Sequence, residues 1–211
     1  MRKVIQVLLV LSVFVLGYLV VESILTPIKF KKEVEHREKV TIKRLIDIRE
    51  AQKAYKDVYK KYTGSFDTLL YFLRTDSFTV IKAIGTIPED MLDELGLEAA
   101  KKKALAEGII SRETTMISVK DSMFGINFPL DSLQYVPFTK GAKFEMAASE
   151  ITTSSNLVVQ VVEASVLYDT LLYDLDPQLV INYDDDKQKT AGFPGLRFGS
   201  LTEGTLTGNW E

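Results

Sequence analysis

An apolar segment near the start of the chain constrains its fold more than any other feature. Residues 4–21 read VIQVLLVLSVFVLGYLVV, without a charged residue, and only Gln6 and Ser12 interrupt the run. A helix needs about 20 such residues to cross the hydrocarbon layer of a bilayer. The run exceeds the roughly 7–15 apolar residues of a signal peptide, and no small-residue cleavage motif follows it. We therefore expect a transmembrane anchor over residues 1–27 rather than a cleaved signal peptide.

The charges on the two sides of the span give conflicting signals for its orientation. Arg2 and Lys3 precede the span and favour a cytoplasmic amino terminus. Basic residues also follow it closely and favour the opposite orientation: Lys29, Lys31, Lys32, Arg37 and Lys39. A short basic front is typical of a signal anchor that keeps its amino terminus in the cytoplasm. We therefore expect a single-pass protein of the bacterial inner membrane with its C-terminal part in the periplasm.

A long helix is expected between the anchor and Gly64. Residues 28–62 contain neither glycine nor proline. In the later half, a stripe of side chains recurs every three or four residues: Leu45, Ile48, Ala51, Gln52, Tyr55, Val58, Tyr59 and Tyr62. This spacing predicts a face packed against a core, and a ligand cage of tyrosines is the less favoured interpretation. The earlier part is rich in charge, so residues 28–64 are expected to form a helical stalk followed by a packing helix.

The remaining residues, 65–211, are expected to form one α+β domain. Helices are predicted over residues 66–73 and from Pro88 to Ala106, with a break at Gly96. Strands are predicted to follow, over residues 114–120, 133–138, 143–151, 157–164, 179–183 and 196–198, and a short helix over 168–175. The third and fourth strands read as a hairpin across the TTSSN sequence. The fold class is thus α+β, with the helices leading and an antiparallel sheet following.

The residue types argue against most enzyme classes. The chain has no cysteine and one histidine, which excludes thiol nucleophiles, disulfides and thiolate metal sites. That histidine, His36, lies among charged residues of the expected stalk, where we expect it to be solvated. A Ser–Lys dyad or a carboxylate pair would need no histidine, but no spacing singles one out. We therefore assign no catalytic, cofactor-binding or metal-binding residue, and we expect a protein that is not an enzyme.

Two further patterns contain residue types that occur in binding sites. Residues 192–199 (GFPGLRFG) are glycine-rich but lack the phosphate-binding motifs, so they predict a turn that leads into a strand. Asp184, Asp185 and Asp186 offer carboxylates for Ca²⁺ but lack the spacing of an EF-hand, and we expect an exposed acidic turn. With a net charge of −3, the chain gives no reason to expect nucleic acid as a partner.

Residues 45–69 (LIDIREAQKAYKDVYKKYTGSFDTL) carry a resemblance to a known family. The segment resembles the end of the long helix in type IV pilin-like and pseudopilin proteins, where such a helix precedes an antiparallel sheet. The order of parts along the chain is also similar. In pilins, a short leader ends in glycine, and a segment with a glutamate at its fifth position opens the apolar run that follows. Gly17 and Glu22 have that spacing here, but the apolar run lies before them and not after them.

The C-terminal region carries a second resemblance. Residues 193–203 (FPGLRFGSLTE) and the final GNWE are similar to the tail of uncharacterised single-pass envelope proteins of Bacteroidota. This implies an envelope location and no established activity. The sequence thus predicts a structural or assembly component of an envelope machine, whose partners are the bilayer and other envelope proteins. A membrane-tethered module that binds a periplasmic glycan or lipoprotein is the alternative, and a histidine-free hydrolase comes third.

Overall fold

The chain folds into two compact units. The computed structural model describes residues 2–211, without the side chains of Arg2, Val4, Val7 and Glu94 and of residues 78–84 and 111–115. The first unit, here called the helix–sheet unit, contains the residues up to Leu69 together with Asp131–Glu211, and the inserted unit is Leu70–Leu130. This division differs from the sequence-based one, which treated residues 65–211 as one domain.

One helix, α1 (Arg2–Tyr59), runs for 58 residues from the apolar segment into the core. It continues through Pro27, although a proline inside a helix commonly breaks or kinks it. Within the described residues, α1 is the one helix long and apolar enough to cross a membrane, and its most apolar window is fully exposed. The helix ends before Lys60, which adopts a left-handed φ of 60°. The sequence placed this end a few residues later, at Gly64.

The inserted unit combines short helices with a two-stranded sheet. Its elements follow α2 (Phe66–Thr75), which begins in the helix–sheet unit: β1 (Ser77–Ile84), α3 (Glu89–Ala106), β2 (Ser111–Ser118) and α4 (Val119–Met123). β1 and β2 pair antiparallel, from Ser77 opposite Ser118 to Ile84 opposite Ser111. The predicted break at Gly96 is present, since this residue has a φ of 70° inside α3. β1 was not predicted from the sequence.

The sheet of the helix–sheet unit has three antiparallel strands in the order β3-β4-β5. They are β3 (Glu145–Thr152), β4 (Val158–Leu167) and, after α5 (Tyr168–Leu171) and α6 (Pro177–Ala191), β5 (Gly195–Gly199). The predicted β3–β4 hairpin is confirmed, with Thr152 opposite Val158. Asn156, with a φ of 57°, lies in its turn. The α+β class is confirmed as well.

Two predicted strands are wrong. Most of residues 133–138 belong to the 3₁₀ helix Leu130–Gln134 and the turn after it, although Tyr135 forms a single bridge to Lys143. Residues 179–183 lie inside α6. The Asp176 carboxylate accepts hydrogen bonds from the backbone N–H of Gln178 and Leu179 at the start of that helix. This cap and a proline in the first turn outweigh the strand propensity of the residues that follow.

The core of the helix–sheet unit lies between α1 and the sheet. Leu45, Ile48 and Ala51 of the predicted stripe are fully buried, and α1 contacts β5. Val58 and Tyr59, at the end of the stripe, are exposed. Burial of α1 begins earlier than the sequence indicated, because three residues ahead of the stripe are buried: Val34, Arg37 and Thr41. This packing leaves only the segment before Val34 for the solvated stalk that we expected.

Candidate functional site

Arg37 of α1 is held by the segment that follows β4. Only 6% of Arg37 is exposed. Its two terminal nitrogens donate to the Asp174 carboxylate at 2.5 and 3.0 Å, and Nη1 also donates to the Leu171 carbonyl at 3.0 Å. Nε donates to Glu33 at 2.8 Å. The hydrogen bond to Asp174 raises the pKa of Arg37 and lowers that of Asp174, so both groups stay charged.

The neighbouring residue, Glu38, accepts two tyrosine hydroxyls. Its Oε1 accepts from Tyr168 at 2.5 Å and from Tyr183 at 2.8 Å, and the Lys187 ammonium lies 4.0 Å away. Burial first, and then the bond to Glu38, raises the pKa of both tyrosines, which therefore remain hydrogen-bond donors. The ring of Tyr183 also meets that of Phe30 edge-on at 6.1 Å.

These contacts fix α1 against two elements at once. Arg37 and Glu38 together with Tyr168, Asp174 and Tyr183 are called the α1 clamp below. Side chains of consecutive helix residues point about 100° apart. The partners of Arg37 and those of Glu38 therefore contact α1 from different directions. A bidentate ion pair and a doubly bonded carboxylate both require defined angles. The α1 clamp therefore fixes the rotation and the height of the helix relative to α5 and α6.

A pair of carboxyl groups lies beside the α1 clamp. The side chain of Asp184 on α6 hydrogen-bonds that of Asp169 on α5, which requires a proton on one of them. Burial, followed by this bond, raises the pKa of Asp184 to about 7, and its Oδ1 is buried without a hydrogen-bond partner. The exposed acidic turn predicted for residues 184–186 is thus wrong. These residues lie within α6, where Asp184 is partly buried while Asp185 and Asp186 are exposed.

The C-terminal residues cover the outer edge of β5. The backbone N–H and side-chain oxygen of Asn209 bond the backbone of Arg197 at 3.0 and 3.1 Å, and its side-chain amide donates to the Gly195 carbonyl. Glu211 accepts from Arg49 of α1 at 2.7 Å. The FPGLRFG and GNWE segments therefore lie in one region, where hydrogen bonds hold the C-terminal residues against β5 and α1.

Two glycines allow β5 to pack closely against β4. A Cβ at Gly195 would collide with the backbone of Val166, and one at Gly199 with that of Val162. Gly199 also has a left-handed φ of 76°. The predicted turn and strand over residues 192–199 are confirmed, with Gly192 in the left-handed conformation that ends α6.

A polar groove of about 400 Å³ opens beside this tail. Its lining includes Glu163 and Arg197 and four hydroxyl residues: Ser200, Thr202, Thr205 and Thr207. The Arg197 guanidinium stacks on the Phe193 ring at 4.7 Å. Several of the hydroxyls bond one another or the loop backbone. The groove thus offers a preformed surface of hydroxyls and two opposite charges.

The single histidine lies apart from the groove. His36 is exposed on α1, and its ring centre is 5.5 Å from that of Phe138. Within the described part of the chain, no group of three or more histidine, aspartate or glutamate side chains is arranged to hold a metal ion. The α1 clamp was not predicted from the sequence, because the charges of residues 33–38 looked like those of a solvated helix.

Comparisons with known proteins give no relative. No family model matches this chain, and neither the curated proteins nor the solved structures contain a match.

Proposed function

We propose that this protein is a non-enzymatic, membrane-anchored assembly component of a bacterial envelope machine of the secretion, pilus-like or motility type. In this proposal, α1 crosses the inner membrane once with its amino terminus in the cytoplasm. Both compact units then lie in the periplasm and meet other envelope proteins there.

One observation carries this proposal: the apolar segment and the core-packing stripe belong to the same unbroken helix, Arg2–Tyr59. A tethered binding protein needs only a flexible linker to stay near its membrane. A helix that continues into the core instead transmits the position and rotation of the anchor to the folded unit. The α1 clamp supports the same interpretation, since it fixes this helix outside the apolar segment.

Pull-down of the tagged protein from crosslinked membranes tests the assembly role. We expect one or more envelope proteins to be recovered in constant ratio with it. A variant with Arg37→Met and Glu38→Gln should lose these partners if they recognise the held orientation. Recovery of the protein alone, from membranes in which a known complex is recovered by the same procedure, would count against the proposal.

Reporter fusions after Glu211 test the orientation. A reporter active only in the periplasm should give signal, and one active only in the cytoplasm should not. The opposite result would mean that the basic residues after the span govern insertion.

The polar groove favours one alternative function, a tethered module that binds a periplasmic glycan. Hydroxyl, carboxylate and guanidinium groups that line one groove are suited to binding sugar hydroxyls. Arg197→Gln would then abolish binding of the intact protein to isolated cell-wall glycan, whereas Lys189→Gln, on the exposed surface of α6, would not. Equal retention of both variants and the unchanged protein would exclude the groove as a glycan site.

A further inference from the structure

The start of α6 lies beside the end of the apolar segment of α1, close to where the proposed span leaves the membrane. A groove of about 520 Å³ runs between the two helices. Leu19, Glu22 and Pro27 line it from α1. Gln178 and Leu179 of α6 line it from the other side, together with the capping residue Asp176. α6 then follows α1 away from this end, since Tyr183 and Lys187 both approach Glu38. The first turn of α6 is therefore the end nearest the span.

The length of the apolar segment fixes the depth of that turn. From Val4 to Glu22 the helix rises about 27 Å, which is close to the ~30 Å thickness of the hydrocarbon layer. Leu19 then lies about 4–5 Å inside the hydrocarbon boundary, and Pro27 about 8 Å outside the level of Glu22. The headgroup layer is about 5–8 Å thick on each side. The groove thus extends from just inside the hydrocarbon boundary through the full depth of the headgroup layer.

The side chains near the groove agree with this depth. Apolar residues of α1 that follow Glu22 remain exposed, among them Ile24 at 57% and Ile28 at 50%. Three exposed lysines come next, Lys29, Lys31 and Lys32, about 10–15 Å beyond Glu22 along the helix, and their long side chains can extend back toward the lipid phosphates. On α6, Pro177 and Ile181 are exposed, and Leu179 is half-buried. This order of apolar and then basic side chains matches the boundary of a bilayer.

We infer that the first turn of α6, Pro177–Ile181, is embedded in the headgroup layer of the bilayer, so that the helix–sheet unit rests on the membrane instead of standing above it. The occupant of the groove is phospholipid, because a helix residue at the depth of Leu19 is surrounded by lipid wherever protein does not cover it. The unit then has two membrane contacts, α1 and the start of α6, which prevent it from tilting about the anchor. This inference rests on the proposed membrane span but not on the assembly role.

Single spin labels on the full-length protein in lipid nanodiscs test this inference. The chain has no cysteine, so one introduced cysteine gives one labelled site. Gln178→Cys and Gln188→Cys place labels at the two ends of α6 and replace the same exposed residue type. Phe14→Cys, at a residue that is 73% exposed, reports on the span itself. Oxygen, which concentrates in the bilayer, and a water-soluble nickel chelate, which is excluded from it, give the depth of each label.

We expect the ratio of relaxation by oxygen to relaxation by nickel to be highest at residue 14, intermediate at residue 178 and lowest at residue 188. Equal aqueous behaviour at residues 178 and 188, with residue 14 in the bilayer, would overturn the inference and leave the span intact. Low accessibility of residue 178 to both reagents would show that protein, and not lipid, fills the groove. An aqueous label at residue 14 would overturn both the inference and the proposed span.

Discussion

At the scale of single residues, buried polar groups on α1 decide how the helix is held. Arg37 and Glu38 lie next to each other, yet each has partners more than a hundred positions later in the chain. When one partner of a buried polar contact is removed or displaced, the remaining group is buried without a hydrogen bond, which costs free energy. Such contacts therefore favour one arrangement of the two elements over others. The α1 clamp thus selects one arrangement of α1 against α5 and α6.

Removing the guanidinium of the α1 clamp should destabilise the helix–sheet unit. Arg37→Met keeps much of the apolar stem but removes the charged hydrogen bonds to Asp174 and the Leu171 carbonyl. We expect a loss of roughly 1.5–3 kcal/mol in the free energy of unfolding, measured by denaturant titration in detergent. Lys39→Met, at an exposed position of the same helix, is the control and should change it by less than about 0.5 kcal/mol. Equal effects of the two changes would contradict the role of Arg37.

The carboxyl pair predicts a pH dependence of stability. The pKa of Asp184 is about 7 in the folded protein and near 4 in the unfolded chain. The contribution of Asp184 to the free energy of unfolding is therefore fully present below pH 4 and is lost as the pH rises through 7. Over this range the unfolded chain has already lost the proton that the folded state still binds. Asp184→Asn should reduce the dependence of the melting temperature on pH between about pH 4 and 7, the range between the two pKa values.

The surrounding charges provide a control for that measurement. Asp169, Asp185, Glu38 and Lys187 also lie near this site, so a general charge effect must be separated from the pair. Asp185→Asn removes an exposed carboxylate one position away and should leave the pH profile nearly unchanged. A profile that Asp185→Asn alters as strongly as Asp184→Asn would refute the assignment.

At the scale of elements, local patterns predicted those parts of the fold that depend on local residues. The stripe on α1 and the β3–β4 hairpin follow from the spacing of apolar residues and from a turn sequence. The register of β4 against β5 joins segments separated by two helices, and no local pattern encodes it. For residues 179–183, a local pattern gave a wrong prediction. Their composition is typical of a strand, but the Asp176 cap starts a helix that includes them.

The α1 clamp could not be predicted for a related reason. Charges at positions such as Glu33, Arg37 and Glu38 support a solvated helix equally well when their partners are unknown. The distant partners lie on α5, on α6 and, for Asp174, between these two helices, and part of α6 was itself predicted as a strand. The candidate site therefore required the tertiary structure.

Core packing of α1 should be measurable at the stripe. Ile48→Ala removes a fully buried side chain, and we expect a loss of about 2–5 kcal/mol in the free energy of unfolding. Val58→Ala, at a residue of the same helix that is 46% exposed, should cost much less. Denaturant titration of the two variants checks this difference. Similar small losses would mean that the stripe is a surface for another molecule.

At the scale of the whole molecule, the account depends on the continuity of α1. The helix runs from the apolar segment past the α1 clamp to the core stripe, and Lys29, Lys31 and Lys32 lie between the first two. The proposed role in an assembly requires this segment to be stiff. A binding protein or an enzyme would require only that it be connected.

Replacement of residues in this segment tests the central claim most directly. One variant changes Ile28, Lys29, Lys31 and Lys32 to glycine, and its matched control changes the same four residues to alanine. Both lose the same charge and keep the same length, but each glycine disfavours the helix by about 1 kcal/mol relative to alanine. Both are expressed at equal membrane levels in a strain that lacks the protein, and recovery of its function is measured. The account predicts that the alanine variant restores function and the glycine variant does not, whereas equal restoration by both would contradict it.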